Sequence, residues 1–146
     1  MVKFLPVSLL LMVLLSACQV MHSAAERGDA GTPALTGATW HWQGSFYNND
    51  TRQEPDTPGN YTLRFDGDGK VRLRADCNRA GGRYRLDGHR LTIEVLQTTL
   101  AACPPGSLES AYLKDLGNVN SYLFHQGDLI LELKYDSGGM RFSAAE

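Results

Sequence analysis

The chain has 146 residues and a formal net charge of −2 at pH 7, which excludes the strong attraction to phosphate backbones on which nucleic-acid binding depends. Hydrophobic residues make up 42% of the chain and charged residues 21%, as in an ordinary globular protein rather than a disordered or fibrous one. The length fits one domain, and 15 Gly with 6 Pro favour short strands joined by tight turns over a helical bundle.

The N-terminus reads as a targeting segment that precedes the fold. Lys3 supplies a positive charge, and the apolar run over 4–15 has the length of an export signal but is too short for a permanent membrane span. Residues 15–18 read L-S-A-C, which resembles the lipobox of bacterial lipoproteins, where cleavage exposes a cysteine that carries lipid. We therefore predict a signal peptide over 1–17 and lipidation of Cys18; a plain secretory signal is the alternative.

Residues 18–34 are predicted to be the lipidated cysteine and a flexible tether, because the segment is small, polar and without periodicity. Gln19 follows the cysteine, and by resemblance to enterobacterial lipoproteins a residue other than aspartate there implies sorting to the outer membrane. The predicted location is the cell envelope, with the protein facing the periplasm and held in the membrane through Cys18. The folded domain is predicted to span 35–146.

The first part of the domain alternates as two strands separated by a polar loop. Residues 39–47 are aromatic and strand-like, and Trp40 and Trp42 share a face, where core packing is a more common role than a ligand cage. Residues 48–60 form a long polar loop, which is a candidate for mobility or partner contact. The next strand is predicted over 61–65.

The centre of the domain, residues 70–103, contains three strand-like runs. The first alternates up to Cys77, which predicts a half-buried strand with this cysteine on its inner side. Residues 78–82 are rich in polar residues and glycine and predict a turn. Runs at 83–86 and 91–95 then alternate around an Asp-Gly hairpin signal. The lysine and arginines between the apolar positions fit a solvated sheet face better than a binding patch.

A short helix is predicted to begin with Ser107 as its cap and to end near Gly117, because Leu108, Tyr112 and Leu116 recur at helical spacing.

Three strands complete the predicted fold, at 119–125, at 128–135 with Tyr135 on the inner side, and around 140–142. The total is seven to eight antiparallel strands with one short helix. The predicted class is mainly β (α+β), as a curved antiparallel sheet or a small barrel.

Cys77 and Cys103 remain for pairing once Cys18 is assigned to lipid. In an oxidising envelope a structural disulfide is favoured, and the chain-entropy model gives it about 3.5 kcal/mol for the loop it would close. A metal pair and a reactive thiol are the alternatives. A metal site would need further ligands nearby, and a redox pair is usually closer in sequence.

The sequence contains no constellation typical of catalysis or of a metal site. The four histidines are dispersed, and Glu94 falls on the solvated side of a strand. A calcium loop that opened at Asp66 would place a lysine and a cysteine where oxygen ligands are required. Neither a phosphate-binding glycine loop nor a nucleophile elbow is present. We therefore expect a non-catalytic protein without a metal or a cofactor.

Several short motifs are shared with a known family. Residues 35–40 read L-T-G-A-T-W, and C-N-R begins at Cys77. The matching positions are Trp40, Asn78, Gly82, Tyr84, Thr99 and Pro104, together with the two central cysteines. By these residues the chain resembles the META/HslJ family of small bacterial envelope domains. It departs from the family pattern at 100–101, where Leu-Ala stands in place of the frequent Arg-Met.

The resemblance implies a compact mixed-β domain, associated in some members with heat-shock expression and antibiotic tolerance, and it supplies no catalytic residues. We therefore expect an outer-membrane lipoprotein that acts in envelope stress tolerance through contact with an unidentified envelope protein. The alternative is a small β-barrel that binds an apolar ligand or inhibits an attacking enzyme such as lysozyme.

Overall fold

The computed structural model describes residues 34–146, which form a curved, ring-like antiparallel sheet with one helix. The strands of the described chain, numbered in order, are Thr39–Tyr47 (β1), Arg52–Gln53 (β2), Tyr61–Phe65 (β3), Lys70–Ala75 (β4), Asn78–Asp87 (β5), Arg90–Thr98 (β6), Val119–His125 (β7), Asp128–Leu133 (β8) and Gly138–Ala144 (β9). The helix, α1, is Glu109–Gly117, and single 3-10 turns occur at Pro58–Asn60 and Lys134–Asp136.

The ring closes because the first long strand pairs with the last. β1 pairs with β3 on one side and with β9 on the other, and the strands between them follow chain order. The strand pairing with the fewest residue pairs around the ring is that of β6 with β7, where Arg90 and Ser121 form the one pair in register. A closed ring leaves few free strand edges, so it resists pairing with other chains.

The predicted class, a small barrel with one short helix, is confirmed. Eight strands make the ring, in agreement with the upper predicted number. The ninth, β2, pairs only with the end of β1 and lies inside the predicted polar loop at 48–60.

Large side chains fill the interior of the ring. Trp40 and Trp42 are completely buried, which confirms their predicted packing role, and Trp40 Nε1 donates a hydrogen bond to Leu35 O at 3.1 Å. The largest fully buried side chains among the described residues are Trp40, Trp42, Tyr112, Phe65, Phe142, Leu63, Leu91, Leu116, Leu129, Leu131, Met140 and Val71.

Helix α1 contributes two of these buried side chains. Tyr112 lies with its ring centroid 5.1 Å from that of Trp42, and its hydroxyl donates to Thr62 O at 3.0 Å. The predicted apolar face of the helix is confirmed. The predicted cap is displaced, because the N-cap position is Leu108, and Ser107 Oγ instead accepts a hydrogen bond from the backbone N of Glu109 at 3.3 Å.

The predicted environment of Cys77 is wrong. β4 ends before it, and Asp76 turns the chain with a φ of 55°, so Cys77 lies exposed in a tight turn. The predicted turn at 78–82 is also wrong, because β5 begins directly at Asn78. The glycines there serve a bulge in the strand and not a reversal of the chain.

Leu86 is 44% exposed, although the alternation places it on the inner side. Residues 85–90 are all exposed, because the tip of the β5–β6 hairpin extends beyond the core. The alternating pattern of apolar residues therefore continues into the hairpin tip, which no other part of residues 34–146 covers.

We predict that Gly82→Ala destabilises the domain by about 1–3 kcal/mol or more, because added atoms in a packed site force the backbone to move. Gly82 lies at the bulge opposite β6, and a Cβ there would stand 1.9 Å from the carbonyl oxygen of Glu94. Urea unfolding measures the loss.

Gly117→Ala is the matched control, since a Cβ at Gly117 would meet no atom within 4 Å. Its free energy of unfolding should change by about 0.5 kcal/mol or less. Equal effects of the two substitutions would show that the bulge does not require glycine.

Candidate functional site

Half of the family motif, namely Cys77, Asn78, Thr99 and Cys103, meets where the β6–α1 link returns to the start of β5. We name this cluster the Asn78 junction, and its members are Cys77, Asn78, Thr99, Ala101, Cys103 and Glu109. Cys77 and Cys103 form a disulfide with their Cα atoms 5.4 Å apart, as predicted. The bridge joins the turn before β5 to the link that precedes α1.

Asn78 is 1% exposed, and its side chain forms four hydrogen bonds to oxygen and nitrogen atoms and a longer contact from Nδ2 to Cys103 Sγ at 3.5 Å. Its Oδ1 accepts from Thr99 Oγ1 at 2.6 Å and from Ala101 N at 2.9 Å. Its Nδ2 donates to Ala101 O at 2.9 Å and to Glu109 Oε1 at 2.8 Å. All the hydrogen-bond donors and acceptors of this amide are therefore used within the protein, and none is left for a ligand.

The other motif residues also serve the fold. The Tyr84 hydroxyl donates to Asp66 O at 2.7 Å, and the Tyr84 ring meets Phe65 edge to face at 5.0 Å. Burial, with smaller contributions from the nearby Asp68 and Asp66 charges, raises the pKa of Tyr84 above its ordinary value. Pro104 is exposed and starts a turn in which its carbonyl oxygen accepts from Ser107 N at 3.1 Å.

The motif residues thus stabilise the fold, and a binding or reactive site would lie elsewhere on the domain. Within residues 34–146, no group of three or more His, Cys, Asp or Glu side chains is placed to hold a metal ion. None of the helices in this part of the chain combines the length and the apolar character needed to cross a membrane.

An open cleft of about 610 Å³ lies where the end of β1, the β1–β2 link, α1 and the β8–β9 link meet. We name it the Tyr135 cleft. Its lining includes Tyr47, Asn48, Asn49, Gln53, Asp115 and Tyr135.

Tyr135 is 96% exposed, and its predicted inward position is therefore wrong. β8 ends before it, and the backbone enters the left-handed region at Tyr135 (φ 61°) and Asp136 (φ 49°), which is unfavourable for bulky side chains. Hydrogen bonds fix this turn, because Asn48 N donates to Ser137 O at 3.1 Å and Asn48 Nδ2 donates to Asp136 O. The ring of Tyr135 is thus displayed to solvent from a firmly held backbone.

Asp115 forms part of the floor of the cleft and is 5% exposed. Its Oδ2 accepts hydrogen bonds from Ser45 Oγ at 2.7 Å and from the Tyr47 hydroxyl at 2.6 Å. Burial, together with the hydrogen bond to Asp115 and its charge, raises the pKa of Tyr47 to about 12. Tyr47 is therefore a hydrogen-bond donor at neutral pH and not a base.

Gln53 also lines the cleft. Its Oε1 is buried and receives no hydrogen bond from any residue in 34–146. An unpaired buried acceptor is costly to the fold, and this one is closed off from solvent. The cleft combines a rigid exposed aromatic ring with amide and carboxylate groups, a combination that suits recognition.

The sequence predicted one of the segments that line this cleft. The polar loop at 48–60 was predicted to be a candidate for partner contact, and it supplies Asn48, Asn49 and Gln53. Tyr135 and Asp115 were missed. The signal for Tyr135 was the run of turn-forming residues at 136–139, which follows it directly.

A family model for the META domain matches residues 33–146. No curated protein is similar enough in sequence to match. A protein from Burkholderia xenovorans, solved by NMR, is 21% identical and superposes with a TM-score of 0.63 over 80% of this chain and 93% of its own.

A DUF4847 family protein from Bacteroides vulgatus, known from a crystal structure, is 18% identical with a TM-score of 0.55, over 75% of this chain and 93% of its own. A further protein solved by NMR is 14% identical with a TM-score of 0.53, over 77% and 95% respectively. These likenesses show that the fold is shared.

We predict that Asn78→Ala destabilises the domain by about 3 kcal/mol, because several buried groups lose their partners at once. Urea unfolding of the oxidised protein measures the change. Asn120→Ala is the control, since Asn120 is exposed on β7, and its effect should stay within about 0.5 kcal/mol. An unchanged midpoint for Asn78→Ala would show that the junction does not stabilise the fold.

Proposed function

Because the chain belongs to the META domain family, we propose that it is a lipid-anchored envelope protein that acts without catalysis, by contact with another envelope protein. The anchor is Cys18, and the proposed location is the outer membrane, facing the periplasm. Both rest on the L-S-A-C sequence and on Gln19, which lie outside the described residues.

The filled interior of the ring is the observation that carries this proposal. Twelve large side chains inside it are less than 2% exposed, so the barrel centre offers an apolar ligand little space. The family motif is likewise engaged in holding the fold. Recognition is therefore assigned to the outer surface, which favours protein contact over the alternative of a ligand held inside the barrel.

We assign recognition on that surface to the Tyr135 cleft. Tyrosine is among the residues that contribute most to binding energy at protein interfaces, especially where a rigid backbone presents it. Here Tyr135 shares the cleft with the polar side chains of Asn48, Asn49 and Asp115. A partner side chain that reached the cleft would find an aromatic surface and polar groups together.

The absence of catalysis is part of the proposal. In the cleft, the raised pKa of Tyr47 keeps its phenol protonated, and Asp115 already accepts two hydrogen bonds from the protein. We place the biological role in envelope stress tolerance, in keeping with what is known of some members of the family.

We predict that Cys18→Ala releases the protein from membranes, as a soluble or unprocessed form, because the residue that would carry the lipid is gone. Fractionation of cells and intact-mass measurement of the product check this. Cys77→Ala is a useful comparison, since it removes a cysteine of the fold and should leave the anchor in place. A Cys18→Ala protein that was still processed and bound to the outer membrane would contradict the anchor.

We predict that a photo-crosslinking residue placed at Tyr135 captures a specific envelope protein in living cells, whereas the same residue at Asn120 does not. Both positions are exposed, but only Tyr135 borders the cleft. The captured protein, once identified and purified, should bind the Tyr135→Ala variant about 30-fold more weakly, the loss typical of an interface anchor. Equal capture from both positions, or equal affinity of the variant, would reject the cleft as the contact site.

A further inference from the structure

Half of the chain's Lys and Arg residues lie on one side of the ring. Lys and Arg number 14 in all, and those on the outer side of β3, β4 and β5 are Arg64, Lys70, Arg72, Arg74, Arg79, Arg83 and Arg85. We name this surface the basic face. In a chain of net charge −2, the positive charge is thus concentrated and not spread evenly.

The strand register brings these side chains next to one another. Arg64 is paired with Arg72 across β3 and β4, Arg74 with Arg79 across β4 and β5, and Lys70 with Arg83 one step further along. Like charges placed directly opposite each other in a sheet are destabilising. The fold therefore maintains a repulsive arrangement on a surface that it does not bury.

Carboxylates offset only part of this charge. Asp66 lies within 3.4 Å of Arg64 and 2.7 Å of Arg72, and Asp68 pairs with Lys70.

The arginines at 74, 79, 83 and 85 take part in no salt bridge among the described residues. Glu94 lies across from Arg83 in the register without forming one. Arg74 Nε donates to Asp76 O at 3.1 Å, but none of the four guanidinium charges is neutralised by a salt bridge within residues 34–146, so they can face an anionic surface.

Two exposed leucines border the basic face. Leu96 is 54% exposed on β6, and Leu100 is 91% exposed in the link that follows. Leu100 is close to the arginines, because its neighbour Thr99 donates its backbone N–H to Arg79 O at 2.9 Å. Positive charge beside projecting apolar side chains is the combination that binds membrane interfaces, where cations meet headgroups and apolar groups enter the acyl boundary.

The segment that leads to the anchor also joins the domain at this face. Thr36 forms a bridge with Phe65 at the end of β3, and Arg64 Nη1 donates to Gly37 O at 3.0 Å. A chain anchored upstream would thus approach the domain along the edge of the basic face.

We infer that the basic face docks on an anionic membrane surface, with the guanidinium groups on lipid phosphates and Leu100 at the interface. The orientation rests on the proposed anchor at Cys18, whereas the charge and the exposed leucines are independent of it. A lipid surface fits this face better than nucleic acid does, because positive charge lies beside protruding leucines. The seven cations and two leucines that form the surface include no aromatic ring on which a base could stack.

The test uses the mature chain from residue 18 with Cys18→Ser, so that no acyl chain contributes to binding. Sedimentation with vesicles of phosphatidylglycerol and phosphatidylcholine should show binding that is absent with phosphatidylcholine alone and that weakens as salt is raised. Replacing the arginines at 74, 79, 83 and 85 by glutamine should weaken binding about 100-fold or more.

A matched triple variant replaces the cations at Arg52, Arg90 and Arg141, which lie off the basic face, by glutamine. It should retain most of the binding. Thermal unfolding confirms that both variants are folded. Equal losses in the two variants would overturn the inference, as would failure of the parent chain to bind anionic vesicles. Binding to an RNA oligonucleotide in place of vesicles would also overturn it.

A Leu100→Ser variant tests the apolar part of the surface. It should weaken vesicle binding without changing its salt dependence, and an unchanged affinity would remove Leu100 from the docking surface. In cells, the lipidated quadruple arginine variant should remain in the membrane fraction through Cys18 and keep its crosslink at Tyr135. Failure of membrane docking is therefore distinguishable from failure of the anchor or of the partner contact.

Discussion

The buried amide of Asn78 is the interaction on which the arrangement of the domain depends. Its four hydrogen bonds hold the link between β6 and α1 against the start of β5, and the adjacent disulfide fixes the same link covalently. This link determines where α1 enters the ring, and α1 in turn supplies Tyr112 to the core and Asp115 to the Tyr135 cleft. A saturated polar group of this kind specifies one arrangement, because any other leaves donors and acceptors unpaired. The same amide therefore supports the core and the cleft.

The residues of the family motif lie apart from the surfaces that we propose for recognition. Trp40, Asn78, Gly82 and Tyr84 are engaged in packing, in a close backbone contact or in hydrogen bonds within the chain. The solved structure that is 21% identical shows that the fold tolerates wide divergence in sequence. It also leaves the outer surface free to diverge, in agreement with the general rule that function resides in sites carried by a fold and not in the fold itself.

The sequence predicted most of the strands, the helix and both buried tryptophans, because alternation and helical spacing report directly on burial. It misplaced Tyr135, since the pattern of Leu129, Leu131 and Leu133 continues through it although the strand has already ended. The error arises because the turn-forming residues begin only at Asp136, so the alternation does not show that the left-handed turn starts one residue earlier, at Tyr135. The arginines were predicted to lie on a solvated sheet face, which was favoured over a binding patch, and the pairing across β3, β4 and β5 is what brings them next to one another.

The order of strands around the ring has a consequence for how the domain sits in its surroundings. β4, at the centre of the basic face, and β8, which leads into Tyr135, are separated by four steps in either direction. If the basic face rests on a bilayer, as we infer, the wall of the ring that contains β8 would point away from the lipid surface. Holding the lipid surface and engaging a partner would not compete, and the barrel would act as a spacer that keeps its partner one domain's width above the membrane.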